Sequence, residues 1–167
     1  HATLSYPVTY NEIVDFGDPD EAKYDFMFYG GITSGVRRRL VGIHEARWKS
    51  LNARCHVESG PWHEMLDRTG GDSKKRYAAA LKQAKFILCP RGNGCGSVRL
   101  FETLKTGRVP IILSDRYVLP SHIDWESCSI VLPEAQLASI PSVVSNAMDR
   151  WPAMARAARK VWEDNFS

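Results

Sequence analysis

Phe86-Ile87-Leu88-Cys89-Pro90-Arg91-Gly92-Asn93-Gly94-Cys95-Gly96-Ser97 is the stretch that decides the fold. Residues 86–88 read as a buried strand, residues 91–96 as a glycine-rich turn, and residues 98–106 as a helix capped by Ser97 and closed by Gly107. A strand that enters a helix through glycines suits an anion. Gly92, Gly94 and Gly96 let backbone N–H groups approach it closely. The helix start adds unpaired N–H donors and a partial positive charge. The Ser97 hydroxyl serves as cap or as phosphate ligand. Arg91 and Arg99 bracket the loop, and a guanidinium grips phosphate with two hydrogen bonds. Glu102, three residues after Arg99, would repel phosphate; it suits the hydroxyls of a ribose whose diphosphate lies at the helix start. Plainer readings stand beside these. The loop is then only a tight turn, and Arg99 with Glu102 only a surface i,i+3 ion pair. The spacing is G-x-G-x-G, not the dinucleotide G-x-G-x-x-G, and no GK[ST] of a P-loop follows.

Working outward, residues 109–113 and 130–132 are further apolar strands. Upstream, residues 24–29 form an aromatic strand ended by Gly30-Gly31. Ser34 then caps a helix in which Val36, Leu40, Ile43 and Leu51 recur at helical spacing. Residues 54–57 are a weak short strand. Residues 58–72 are irregular, with one helical turn near 62–66. A second helix spans about 73–84, capped by Asp72 or Ser73. From about Ala135 onward the chain is helical, with breaks at Pro141 and Pro152. Strands alternating with helices predict an α/β, Rossmann-like parallel sheet with helices on both faces, and a ligand at the carboxyl ends of the strands. Residues 1–22 lack periodicity and read as a connector; residues 23–167 form the domain.

The 167 residues fit one domain, and 44% hydrophobic with 25% charged residues is a soluble globular composition. No apolar run reaches the roughly 18 residues of a membrane helix, and no leader pattern is present. The chain begins at His1 and reads as a processed chain or an excised fragment. The net charge of +3 conceals an acidic lead-in and a strongly basic stretch from Arg37 to Arg91. Such a bias suits an anionic ligand. The run at residues 37–39 has no aromatic interleaving, so a nucleic-acid partner is not expected. Cys55, Cys89, Cys95 and Cys128 are spaced neither for zinc nor for a CxxC motif. Cys89 and Cys128 read as core, and no disulfide is expected. Asp18-Pro19-Asp20 has the letters of a metal-binding DxD but no preceding strand. His44, His56 and His63 make no zinc set, so no metal is expected. His122 and Asp124 follow a Leu119-Pro120 turn near the mouth of the site. Trp151, Trp162 and Phe166 are expected to pack on the domain.

Residues 86–120 resemble the C-terminal half of the exostosin family of glycosyltransferases. That pattern is a strand, PRG, a variable loop, GS-x-R-x-x-E-A, a glycine, PV and then LP. The chain matches at Pro90-Arg91-Gly92, Gly96-Ser97, Arg99, Glu102, Gly107, Pro110 and Leu119-Pro120. It departs at Thr103, where alanine is usual, and at Arg108, where a small residue or cysteine is common. Upstream, residues 26–30 with 36–40 resemble the family's aromatic strand, glycine and R-x-x-L helix start. Arg37 is the best counterpart of that arginine and Arg39 the alternative. The resemblance covers roughly residues 23–167.

This resemblance implies a GT-B enzyme with two Rossmann-like domains, inverting and independent of metal or cofactor, whose C-terminal domain holds a UDP-sugar donor. Arg37 and Arg91 would then contact the diphosphate. Gly92 and the Gly96-Ser97 helix start would hold the phosphates, and Glu102 the ribose. Arg99 stands between ligand and ion pair. The acceptor, a glycan or other hydroxyl, and the general base would belong to an N-terminal GT-B domain that this chain is too short to contain. The chain is therefore expected to bind donor but to be inactive or weak alone. Two rivals remain: a dinucleotide-dependent Rossmann enzyme, and a non-catalytic module of the same fold. Family members occur in the eukaryotic secretory pathway, which means a Golgi lumen here, and in bacterial polysaccharide synthesis, which means cytoplasm or inner-membrane face. The sequence does not choose.

Overall fold

Period-two alternation along the strands assigns each side chain to a face of the sheet. In a computed structural model, which describes residues 13–51, 54–60 and 72–167, five parallel strands run in the order β2-β1-β3-β4-β5. They are β1 Tyr24–Gly31, β2 Cys55–Gly60, β3 Ala84–Pro90, β4 Val109–Leu113 and β5 Ile130–Leu132. Phe26, Phe28, Phe86, Leu88, Val109 and Ile111 point to one face. There they meet Val36 and Leu40 of α1 (Gly35–Ala46), Ile140 and Val144 of α5 (Ile140–Ala147), and Trp151 and Met154 of α6 (Trp151–Asn165). Met27, Tyr29, Ile87 and Cys89 point to the other face, against Ala78 and Leu81 of α2 (Asp72–Lys82). Ile112 on that face packs with Leu100 and Leu104 of α3 (Arg99–Thr106), Trp125 of α4 (Trp125–Cys128) and Trp162 of α6. Both faces are covered, which is why the strands read as nearly continuous apolar runs.

The expected alternation and layers are present, with shifts at the ends. β3 starts two residues earlier than expected, because Gln83 alone separates it from α2. Ser34 caps α1 as expected, its Oγ accepting from the Arg37 N–H at 3.4 Å. Gly107 closes α3 in the left-handed conformation, with φ +69°. The breaks expected at Pro141 and Pro152 are present as helix starts: each proline sits in the first turn, of α5 and of α6, where a missing N–H costs nothing. The helical turn expected near 62–66 and His63 lie outside the described residues. All four cysteines are free, with Cys89 and Cys128 buried. The Trp151 indole donates to Lys85 O at 2.9 Å, and Phe166 packs on Trp162 and Phe101.

Part of the expected connector is fastened to the domain at the amino end of the sheet. Val14 is buried with α2, and the Gly17 N–H donates to Thr106 O at 3.1 Å. Arg108, fully buried, donates to Asp18 O at 2.7 Å and to Lys82 O at 2.5 Å. Asp18-Pro19-Asp20 is a helical turn in which Asp18 Oδ1 accepts from the Asp20 N–H at 2.9 Å.

Candidate functional site

The strand order reverses between β1 and β3, and the chain leaves those two strands in opposite directions. Such a reversal opens a crevice at their carboxyl ends. Two arginines cross it. Arg37, on the first turn of α1, donates through Nη1 to Gly31 O at 3.0 Å and through Nη2 to Pro90 O at 3.2 Å, so it joins the ends of both strands. Arg99, at the start of α3, donates through Nη2 to Tyr29 O at 2.5 Å. Gly30 makes room for it: a Cβ there would sit 2.2 Å from Arg99 Nη2. Ser34 Oγ donates to Arg91 O at 2.9 Å and ties the turn after β1 to the exit of β3.

The crevice widens into a cavity of about 930 Å³ between these ends, the glycine-rich loop and the first turns of α2 and α3. Seven buried side-chain polar atoms lack a partner among the described residues. Five of them belong to residues that line this cavity: Thr33 Oγ1, Arg37 Nε, Ser97 Oγ, and Arg99 Nε and Nη1. A buried polar group without a partner costs about 1–3 kcal/mol, so such groups are rare unless a ligand completes them. Burial, then the nearby Arg99 charge, push Arg37 down to about 10. It is still charged at neutral pH. Two cations and a helix N-terminus around one hollow favour an anion with several acceptor oxygens.

Six of the seven expected site residues line this cavity: Arg37, Gly92, Gly96, Ser97, Arg99 and Glu102. Arg91 does not. It turns away to Glu134, with Nε 2.5 Å from Oε1. Arg39 Nη2 donates to Glu134 O at 2.8 Å, and the Glu134 N–H donates to Asp115 Oδ1 at 2.8 Å. This network braces the carboxyl end of the sheet beside the cavity. Ser97 is a second correction. It does not cap α3; Val98 holds that position, already helical. Ser97 Oγ is therefore free for a ligand. The Arg99–Glu102 ion pair also does not form among the described residues, because Arg99 reaches across to β1 instead. Glu102 accepts on Oε2 from the Tyr77 hydroxyl. It is 5% exposed, and burial raises its pKa above the ordinary value. Gly96 faces the Tyr117 ring, which a Cβ would approach to 2.9 Å, whereas a Cβ at Gly94 would meet nothing within 4 Å. His122 and Asp124 do not line the cavity.

Thr33, Tyr77, Tyr29 and Asn93 also line the cavity, and the sequence reading did not single them out. Only Tyr77 left a trace: it stands four residues after Ser73 on α2, the spacing that puts both on one helix face.

The Exostosin GT47 domain matches residues 17–147. Exostosin-1 of Drosophila melanogaster is 33% identical over 162 residues, covering 89% of this chain and 21% of that protein. The Exostosin-1 homolog of Caenorhabditis elegans is 32% identical over 156 residues, covering 86% of this chain and 41% of that protein. The chain thus spans well under half the length of these relatives. In three dimensions it is similar to the C-terminal domain of a glycosyl transferase group 1 family protein (LpcC) from Francisella tularensis. The TM-score is 0.60 at 12% identity, over 95% of this chain and 99% of that one. It is also similar to WaaG, a glycosyltransferase involved in lipopolysaccharide biosynthesis, with TM-score 0.54 at 14% identity over 90% of this chain and 51% of that one. These likenesses give the fold, that of a GT-B C-terminal domain, and the sequence match gives the family: the chain belongs to the exostosin GT47 glycosyltransferases.

Proposed function

We propose that the chain is the donor-binding half of an inverting glycosyltransferase that takes a UDP-sugar and passes the sugar to a glycan or other hydroxyl. The observation that carries this reading is the set of unpaired donors from Thr33, Arg37, Ser97 and Arg99 around one cavity that Glu102 also lines. A diphosphate supplies acceptors for the donors, and a ribose supplies hydroxyls for the carboxylate. In the reaction the leaving diphosphate gains charge, and donors already in place stabilise it without rearrangement. The arginines take the part that a metal plays in other sites, so no metal is required. The acceptor and the general base are assigned to an N-terminal GT-B domain.

Calorimetric titration with UDP in the presence of EDTA tests this. Binding that survives EDTA and is weakened about tenfold or more in Arg37→Ala is expected; no binding, or binding indifferent to Arg37, overturns it. Thermal stabilisation by UDP over GDP and CMP checks the nucleotide.

A further inference from the structure

Glu102 is a buried carboxylate with an unusual set of neighbours. Arg99, one turn earlier on the same helix, makes no ion pair with it and donates to Tyr29 O. Its one hydrogen-bond donor among the described residues is the Tyr77 phenol, which comes from α2 and holds Oε2. The Tyr77 ring is itself held on two further sides. It packs edge-on against Tyr29 at 5.5 Å, and Arg99 Cζ lies 5.9 Å from its centroid. A ring fixed by three partners presents its hydroxyl in one place.

We propose that Tyr77 is a positioning residue for Glu102: it fixes Oε2 and leaves Oε1 as the acceptor for the vicinal hydroxyls of a ribose, so the cavity selects ribonucleotides. This rests on the reading of the cavity as a nucleotide site. The titratable groups around Glu102 are Tyr77 from α2, Arg99 and Lys105 of α3, and Cys89 of β3. Burial first, then Glu102 itself, keep the Tyr77 phenol protonated, so it is a donor. Its hydrogen bond opposes the effect of burial on Glu102 and favours the ionised carboxylate. Only the ionised form accepts with both oxygens.

The test titrates the chain with UDP, 2′,3′-dideoxy-UDP and pyrophosphate, in wild type, Tyr77→Phe and Glu102→Gln. The phenylalanine ring fills the same space, and circular dichroism confirms the fold. Tyr77→Phe is expected to weaken UDP about tenfold, the worth of one hydrogen bond to a charged group. Dideoxy-UDP and pyrophosphate should be unaffected, and the pH below which UDP affinity falls should move upward. Glu102→Gln is expected to lose the same preference for UDP over dideoxy-UDP. Equal losses for UDP and dideoxy-UDP in Tyr77→Phe would mark a purely structural role and overturn the proposal, as would an unchanged preference in either variant. Wild-type protein that binds none of the three ligands overturns the nucleotide reading and the proposal with it. Wild-type binding with no ribose preference overturns the proposal alone.

Discussion

The guanidinium groups of Arg37 and Arg99 share the ring of Phe28, with Cζ 5.8 and 4.9 Å from its centroid. One comes from the helix after β1 and the other from the helix after β3. They meet because those strands are neighbours in space, though Pro90, whose carbonyl Arg37 holds, lies 53 residues further along the chain. Among the described residues Arg37 has two carbonyl partners and an unpaired Nε, and Arg99 has one carbonyl partner and unpaired Nε and Nη1. Replacing either with alanine should weaken UDP about ten- to a hundredfold, since a hydrogen bond to a charged group contributes about 1.5–3 kcal/mol. Arg91→Ala should weaken it by less than about threefold, because Arg91 does not line the cavity and pairs with Glu134 instead. Calorimetry on the three variants separates the cavity arginines from the brace.

Gly30→Ala places a Cβ 2.2 Å from Arg99 Nη2. The side-chain tip moves more readily than the backbone, so Arg99 should leave Tyr29 O while the sheet persists. UDP affinity is expected to fall about tenfold, as in Arg99→Ala. At Gly92 a Cβ would come no nearer than 3.6 Å, to Arg37 Nη2, among atoms beyond its chain neighbours, and Gly92→Ala should leave the thermal midpoint unchanged.

Ser97→Ala distinguishes a cap from a ligand site. Loss of an N-cap costs about 1 kcal/mol. Ser97 caps no helix and its Oγ is buried without a partner among the described residues, so the variant should match or exceed wild-type stability in urea unfolding. Its UDP affinity should drop severalfold.

Burial holds the Glu102 carboxyl above the ordinary 4.5. The folded state therefore keeps that proton to higher pH than the unfolded chain does. Ionisation of Glu102 weakens the fold, and the penalty grows as pH rises through the window above about 4.5. Glu102→Gln should raise the thermal midpoint at neutral pH, and the gain should vanish in acid below that window. A pH series of thermal melts on both proteins reads this directly.

Arg108 ties Asp18 O and Lys82 O from full burial. Arg108→Ala removes two charge-assisted hydrogen bonds and a packed stem, and should cost about 2–4 kcal/mol. Hydrogen exchange at the Gly17 amide, which is bonded to Thr106 O, should accelerate more than exchange in β3.

The α/β layering was legible because the strands are apolar, the helices are periodic, and Gly30-Gly31, residues 92–96 and Gly107 punctuate them. Most of the cavity was legible for the same reason: Gly92, Gly96, Ser97, Arg99 and Glu102 follow one another in the chain. The rest depends on strand order, which periodicity does not carry. Arg99 looked available to Glu102, one helical turn away, but β1 lies beside β3 and offers Tyr29 O instead. Arg91 looked bound for the loop it enters, but Glu134, 43 residues later, reaches it from beyond β5. Ser97 looked like a cap because serine favours that position, yet Val98 is already helical. Tyr77 carries only its spacing from Ser73 as a signal, since a tyrosine on the inner face of a helix is ordinary core.

Buried cations with unsatisfied nitrogens, at Arg37 and Arg99, raise the energy of the empty domain. Apolar side chains of similar volume would pack there at lower cost. On the proposed reading a bound diphosphate supplies the acceptors that these nitrogens lack among the described residues, and that gain offsets the cost. A lineage that abandoned ligand binding would be expected to lose them while retaining the sheet, and its domains would be more stable than this one. The two positions thus serve as a marker: relatives with apolar residues there are expected to keep the scaffold without binding UDP.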